Sequence, residues 1–192
     1  MITDTHLTGI VLAGGQSSRF GSNKALAVWK EETLLERALD LLKPFCGEVY
    51  IGGDYPEYSS LTSAILPDTL PNLGPLGGIY TALAHTHTPY LLFLTCDMPL
   101  MNSWLIERLL SAEPYREMTL WQEPDGALQF FPLLLARSLA PLVEYKIRQH
   151  DLSLKSLLKE ATSRFIPIHH QEEKFFLNIN REGDLDEILN YK

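Results

Sequence analysis

Three glycines and two cations crowd one short stretch of this chain: Leu12-Ala13-Gly14-Gly15-Gln16-Ser17-Ser18-Arg19-Phe20-Gly21-Ser22-Asn23-Lys24. Glycines let a backbone turn tightly and come close to a ligand. Successive N–H groups in such a turn form a concavity that attracts anions. Arg19 and Lys24 add charge that a neutral turn has no use for. An arginine grips a phosphate through two parallel hydrogen bonds, and a lysine acts as a mobile point charge. An ordinary strand–helix turn accounts for each glycine singly but not for the glycines, Arg19 and Lys24 together. Two familiar phosphate loops are excluded. The Walker loop ends in Gly-Lys-Ser/Thr, whereas Lys24 lies between Asn23 and Ala25, and Gly14, Gly15 and Gly21 do not supply Gly-x-Gly-x-x-Gly.

The acidic counterpart is Asp97, in Thr95-Cys96-Asp97-Met98-Pro99, directly after the apolar run Tyr90–Leu94. A carboxylate at the exit of a central strand stands where phosphates arrive. Mg2+ takes hard oxygen ligands, commonly one or two carboxylates plus substrate phosphates. The alternative, an Asp capping the next helix, is weakened because Ser103 stands nearer that helix. Asp68 precedes Gly74-Pro75-Leu76-Gly77-Gly78 and by itself reads as a turn residue. Near the end, alternation in Phe175–Ile179 predicts a strand with Asn178 and Asn180 on one face, either touching a ligand or capping the next helix. His85 and His87 read as exposed loop residues rather than metal ligands, the pair His169-His170 as pointing to opposite faces of a strand and so not a ligand cluster, and Cys96 as a small packing residue.

The elements that must hold these groups follow from periodicity. Leu7–Leu12, Val49–Ile51 and Tyr90–Leu94 read as buried strands. Thr33–Leu42, Ile79–Ala84 and Ser103–Leu110 read as helices, with Ser103 as a cap, and Pro67–Gly78 as a loop. Further on, Met118–Trp121 and Ala127–Leu135 form strands around Pro124-Asp125-Gly126. Ser138–Ile147 and Ser153–Ala161 are helical, Phe165–Ile168 is a strand, and Asp184–Leu189 is a final helix. Strands alternating with helices predict an α/β fold: one Rossmann-like three-layer domain with a mostly parallel central sheet, spanning 1–192. Ligands in such sheets sit beyond the carboxyl ends of the strands.

Composition narrows the function classes. A chain of 192 residues, 45% hydrophobic, suits one domain with a sizeable core. Its apolar runs fall short of the roughly 18–20 residues of a membrane span. The N-terminal residues lack the order of a secretion signal. Cys46 and Cys96 give neither a disulfide framework nor a metal-ligand pair, so a reduced, cytoplasmic protein is expected. The net charge of −8 argues against general binding to nucleic acid or a membrane surface.

Leu-Ala-Gly-Gly followed by Arg19, Gly21 and Lys24 resembles the signature of the molybdenum cofactor guanylyltransferases (MobA-type nucleotidyltransferases), and Cys96-Asp97-Met98-Pro99 resembles their metal-binding motif. Further along, Gly74–Gly78 is similar to their Gly-Pro-Leu-Ala-Gly loop beside the guanosine, and Phe176–Asn180 to their Phe-x-Asn-x-Asn. The chain departs from the pattern at Gly52, where the family often has Asn, and at Arg181, where it has Thr. The resemblance implies a fold like that of the nucleotide-diphospho-sugar transferases. It places nucleotide contacts on Leu12, Ala13, Gly14, Gly15, Lys24, Asp68, Gly77 and Asp97. Mg2+ falls to Asp97, a catalytic role to Asp97, Lys24 and Arg19, and substrate contact to Asn178 and Asn180. Gln129–Arg137, with Pro132 and Arg137, is similar to the stretch near the pterin. The N-terminal half is thus expected to bind GTP and the C-terminal half molybdenum-molybdopterin, with a molybdopterin-delivering protein as a further partner where one exists. The rival enzymes are a molybdopterin cytidylyltransferase, in which Leu-Ala-Ala-Gly and Asp-Gln-Pro are usual, and a sugar-phosphate nucleotidyltransferase, whose chains are usually longer. The rival of another class is a nucleotide-binding regulator, against which Asp97, Lys24 and Arg19 together count.

Overall fold

The computed structural model describes residues 4–14, 23–53, 55–61, 64–70, 72–113 and 116–188. Nine strands are described among these residues: β1 (Leu7–Leu12), β2 (Val28–Trp29), β3 (Glu32–Thr33), β4 (Glu48–Gly52), β5 (Ala64–Leu66), β6 (Tyr90–Thr95), β7 (Met118–Gln122), β8 (Leu128–Ala136) and β9 (Ser163–Pro167). The α-helices are α1 (Leu34–Leu42), α2 (Gly74–His85), α3 (Ser103–Leu110), α4 (Ala140–Arg148), α5 (Leu154–Glu160) and α6 (Glu182–Ile188). Seven strands form one sheet in the order β5-β4-β1-β6-β8-β7-β9, and β2 and β3 make a separate antiparallel ribbon. The β5/β4, β4/β1, β1/β6 and β7/β9 pairs are parallel, and β8 runs antiparallel to β6 and β7. The sheet is therefore mostly parallel, as the alternation of elements requires.

The layers follow from the period-two alternation of side chains in a strand. On β6, Leu92 and Leu94 face one side, packed with Leu35, Leu39 and Leu42 of α1 and Leu105 and Leu109 of α3. Leu91 and Phe93 face the other, packed with Leu76, Ile79 and Leu83 of α2, Val143 of α4 and Leu157 of α5. A strand buried on both faces must read as a continuous apolar run, which is why Tyr90–Leu94 was so legible. No helix among the described residues is long and apolar enough to cross a membrane.

Several local expectations are corrected. The stretch to Gly78 is not all loop, because α2 begins at Gly74 with Pro75 in its first turn, where a missing N–H costs nothing. A Cβ on Gly78 would stand 2.7 Å from Leu12 Cδ2, so the glycine lets α2 lie close on β1. Asn102, not Ser103, caps α3 by accepting the N–H of Leu105. Phe175–Ile179 is not a strand. A 3-10 turn covers His170–Phe176, and the chain runs on without regular structure to α6. His169 is the cap of that turn, so the two neighbouring histidines do not stand on a strand.

Candidate active site

The first half of the sheet gathers the ends of β1, β4, β5 and β6 on one edge. β1 lies at its centre, flanked by β4 and β6, so the chain winds outward from it in both directions. The crevice of an open α/β sheet forms at such a reversal. Leu12 pairs with Gly52 on one side and Thr95 on the other. Beyond the strands, Ala13 N–H donates to Gly52 O at 2.9 Å, Cys96 N–H to Leu12 O at 3.4 Å, and Gly53 N–H to Leu66 O at 3.2 Å. These bonds hold Ala13, Gly14, Gly53 and Cys96-Asp97 side by side.

Gly53 has φ +134°, and a Cβ there would stand 2.9 Å from Gly14 N, so glycine is required by both conformation and space. Around Gly14 there is more room. A Cβ would meet Asp68 Oδ2 at 3.6 Å and Gly53 Cα at 3.6 Å, which puts the exposed Asp68 carboxylate beside the exposed Gly14 backbone. Gly77, by contrast, is buried in α2, where a Cβ would stand 2.7 Å from Leu73 Cβ. The structure thus gives it a packing reason within the helix. At Gly52 a Cβ would come within 3.2 Å of Leu12 Cδ2, so the departure from the usual Asn relieves that contact.

Lys24 and Asp97 meet. Lys24 Nζ donates to Asp97 Oδ2 and to Ile179 O, each at 2.9 Å. Ile179 N–H in turn donates to Asp97 O at 2.8 Å. Three segments far apart in sequence are closed into one ring of contacts. Lys24 opens a 3-10 turn, Lys24–Leu26, capped by Asn23 Oδ1 on Ala25 N–H at 3.2 Å. Asp97 is held by the turn after β6, where Arg37 of α1 donates through Nε to Pro99 O at 2.6 Å while lying over the Trp29 ring. Ile179 is anchored by burial with Trp29, Leu34 and Ile188. Its neighbours Asn178 and Asn180 are both exposed. Their backbone is fixed by Asp184, whose Oδ2 accepts the N–H groups of Asn180 at 2.7 Å and Arg181 at 2.9 Å. Those two bonds hold the Asp184 carboxyl below its ordinary range. Asp184 thereby fixes the backbone that leads into α6.

One acidic atom in this ring lacks a partner. Asp97 Oδ1 is buried with no hydrogen-bond donor among the described residues. A buried carboxylate oxygen left bare is costly unless something else meets it. Its hardness suits a divalent cation such as Mg2+. Among the described residues no group of three or more His, Cys, Asp or Glu is assembled, so the protein offers a carboxylate rather than a closed cage.

Arg19 and Gly15 lie outside the described residues. Cys96 is buried, and burial first, with the nearby Asp97 carboxylate adding to it, pushes its thiol up to about 12, which agrees with a packing role. Arg137 donates through Nη1 to Leu83 O at 2.9 Å and to Thr86 O, tying off α2. Pro132 is buried after a cis peptide bond. The sequence reading missed the Ile179 carbonyl and Tyr58, whose hydroxyl reaches Ala13 O. A backbone acceptor and a lone tyrosine leave no mark in a motif.

The family model for the MobA-like NTP transferase domain matches residues 9–165. A probable molybdenum cofactor guanylyltransferase of Carboxydothermus hydrogenoformans is 30% identical over 191 residues, covering 96% of this chain and 95% of that one. One of Flavobacterium johnsoniae is 29% identical over 182 residues, covering 95% and 96%. Among solved structures, molybdopterin-guanine dinucleotide biosynthesis protein A of Archaeoglobus fulgidus superposes with a TM-score of 0.81 at 21% identity, covering 96% of this chain and all of that one, a likeness of fold.

Proposed function

This chain belongs to the MobA-like NTP transferase family, and from that premise we propose that it transfers GMP from GTP to the phosphate of molybdenum-molybdopterin, releasing pyrophosphate. The observation that carries the proposal is the Lys24–Asp97 contact at the carboxyl ends of β1 and β6, with Asp97 Oδ1 bare. A cation and an anion of the protein are placed together where a triphosphate would lie. The names of the two relatives above favour guanine and molybdopterin over the other nucleotidyl transfers.

In the proposed reaction an oxygen of the terminal phosphate of molybdopterin attacks the α-phosphorus of GTP. The bond from that phosphorus to the bridging oxygen breaks, and pyrophosphate leaves with the electron pair. A phosphate monoester is mostly dianionic at neutral pH, its second pKa being about 6, so the nucleophile needs no protein base. The site supplies position and charge. The exposed backbone at Gly14 is open for close approach of the phosphates. Lys24 has an ammonium whose present acceptors, Asp97 and Ile179, can yield to phosphate oxygens. Asp97 would hold Mg2+, which when bound neutralises triphosphate charge. Asn178 and Asn180, exposed on either side of buried Ile179, are positioned to meet the second substrate.

The test is pyrophosphate release by the purified protein with Mg2+ and molybdopterin, across GTP, CTP, UTP and ATP. Release with GTP well above the others is expected. Preference for CTP would assign the cytidylyltransferase, and no release with any nucleotide that nevertheless binds would assign a regulator.

A further inference from the structure

Tyr58 lies in the 3-10 turn Pro56–Ser60 that follows β4, and its side chain is wholly buried. Its hydroxyl is 2.9 Å from Ala13 O and 3.2 Å from Asn23 Oδ1. Ala13 and Asn23 bracket the glycine-rich stretch in sequence, one at the exit of β1 and the other just before Lys24. Asn23 Oδ1 has a second task, since it accepts Ala25 N–H and so caps the turn that Lys24 begins. The amide is therefore held at its oxygen end by Tyr58 and Ala25, while Asn23 Nδ2 is buried with no partner among the described residues. The Tyr58 ring is fixed by an edge contact to Tyr55, with centroids 5.4 Å apart. Burial raises the phenol above its ordinary pKa, which keeps the hydroxyl a donor at any physiological pH. A phenylalanine would fill the same space without having to desolvate a hydroxyl, so the oxygen is explained by the two acceptors between which it shares its one proton.

We infer that Tyr58 is a positioning residue for nucleotidyl transfer: its hydroxyl ties Ala13 to Asn23 and thereby fixes where the Lys24 ammonium stands. It touches neither substrate nor metal and acts through Lys24. The inference rests on the proposed guanylyl transfer, and it adds to the site a residue from a segment with no recognisable motif.

The experiment compares the full chain with Tyr58→Phe, Lys24→Ala and the double variant. It measures steady-state pyrophosphate release with saturating Mg2+, GTP affinity by calorimetry, and thermal unfolding. Misplacing a catalytic group by a fraction of an ångström is expected to lower kcat roughly 10-fold in Tyr58→Phe. In the Lys24→Ala background the same substitution is expected to cause no further loss in kcat, because both changes act through one group. A merely structural tyrosine would instead shift only the unfolding temperature. The inference is overturned by kcat and KM within twofold of the parent, or by an equal fold-loss in both backgrounds. Should Tyr58→Phe fail to fold, Asn23→Ala removes the same tie from its other end, together with the cap on Ala25 N–H. It is expected to show the same loss and the same dependence on Lys24, and an unchanged kcat there is equally fatal. A parent protein that neither binds GTP nor releases pyrophosphate overturns the functional reading, and the inference with it. A parent that does both while Tyr58→Phe matches it overturns the inference alone.

Discussion

Lys24 Nζ stands 2.9 Å from Asp97 Oδ2 across 73 positions of sequence, and both side chains are about one-fifth exposed. The same ammonium is shared with Ile179 O, which lies 155 positions from Lys24. One cation thereby links the turn after β1, the exit of β6 and the C-terminal segment. Partly buried pairs of this kind are weak contributors to stability. Their value lies in holding charge at a chosen point.

Lys24→Ala is expected to lower kcat by at least ~10²-fold, the scale of losing one preorganised electrostatic donor, and to weaken GTP binding as well. The ammonium should meet growing charge as pyrophosphate departs, and only interactions that strengthen in the transition state raise turnover. Lys24→Arg should rescue in part, because a planar guanidinium cannot reach both acceptors as a point charge does. Steady-state kinetics with saturating Mg2+ checks both. Unchanged kcat and KM in Lys24→Ala would remove Lys24 from the site.

Asp97→Asn keeps the shape and an oxygen toward Lys24 while removing the charge a divalent cation requires. Turnover should fall about 10²-fold or more, with thermal unfolding close to the parent's. The Mg2+ concentration for half-maximal activity should rise. A variant with the parent's Mg2+ dependence would eliminate Asp97 as the ligand.

Gly14→Ala probes ligand approach rather than the fold, because the added methyl meets Asp68 Oδ2 and Gly53 Cα at ordinary contact distances of 3.6 Å. GTP affinity should fall about 10-fold, the scale of one methyl in a fitted site, without a change in unfolding temperature. Calorimetry that shows equal GTP affinity in the variant and the parent would mean that the nucleotide does not lie on this backbone.

The central strand of the site was legible because burial on both faces leaves an unbroken apolar run, as in Tyr90–Leu94. The Lys24–Asp97 cleft was legible from chemistry at two strand exits. The start of α2 was not, because Gly74, Pro75, Gly77 and Gly78 have the composition of a loop. Two packing demands favour those glycines in a helix, the close approach of Gly78 to Leu12 and of Gly77 to Leu73. The apolar residues Phe175, Phe176, Leu177 and Ile179 suggested a strand. They serve separate contacts instead: Phe175 meets Trp104 edge-on, Phe176 meets Trp121, and Ile179 joins Trp29 and Leu34. Short β5 and the ribbon β2/β3 have too few residues to show a period.

Both thiols should be inert in the native protein. Burial pushes Cys46 and, with help from Asp97, Cys96 up to about 12. A thiol reagent at about pH 8, which needs thiolate, should label neither until the chain is denatured. For Cys46 the folded value lies above the ordinary 9.0, so its favourable contribution is complete below that pH and is lost as pH rises from 9.0 toward about 12. Rapid labelling of native protein would show that the packing around α1 and α3 is looser than described.

The central claim is met most directly by the product itself. The protein is incubated with GTP, Mg2+ and molybdenum-molybdopterin, and the pterin fraction is weighed by mass spectrometry. The account predicts a species heavier than molybdopterin by one guanylyl group, formed in step with pyrophosphate and absent when Mg2+ is chelated. Unmodified molybdopterin beside unconsumed GTP, or a cytidylyl adduct formed equally well from CTP, would contradict it.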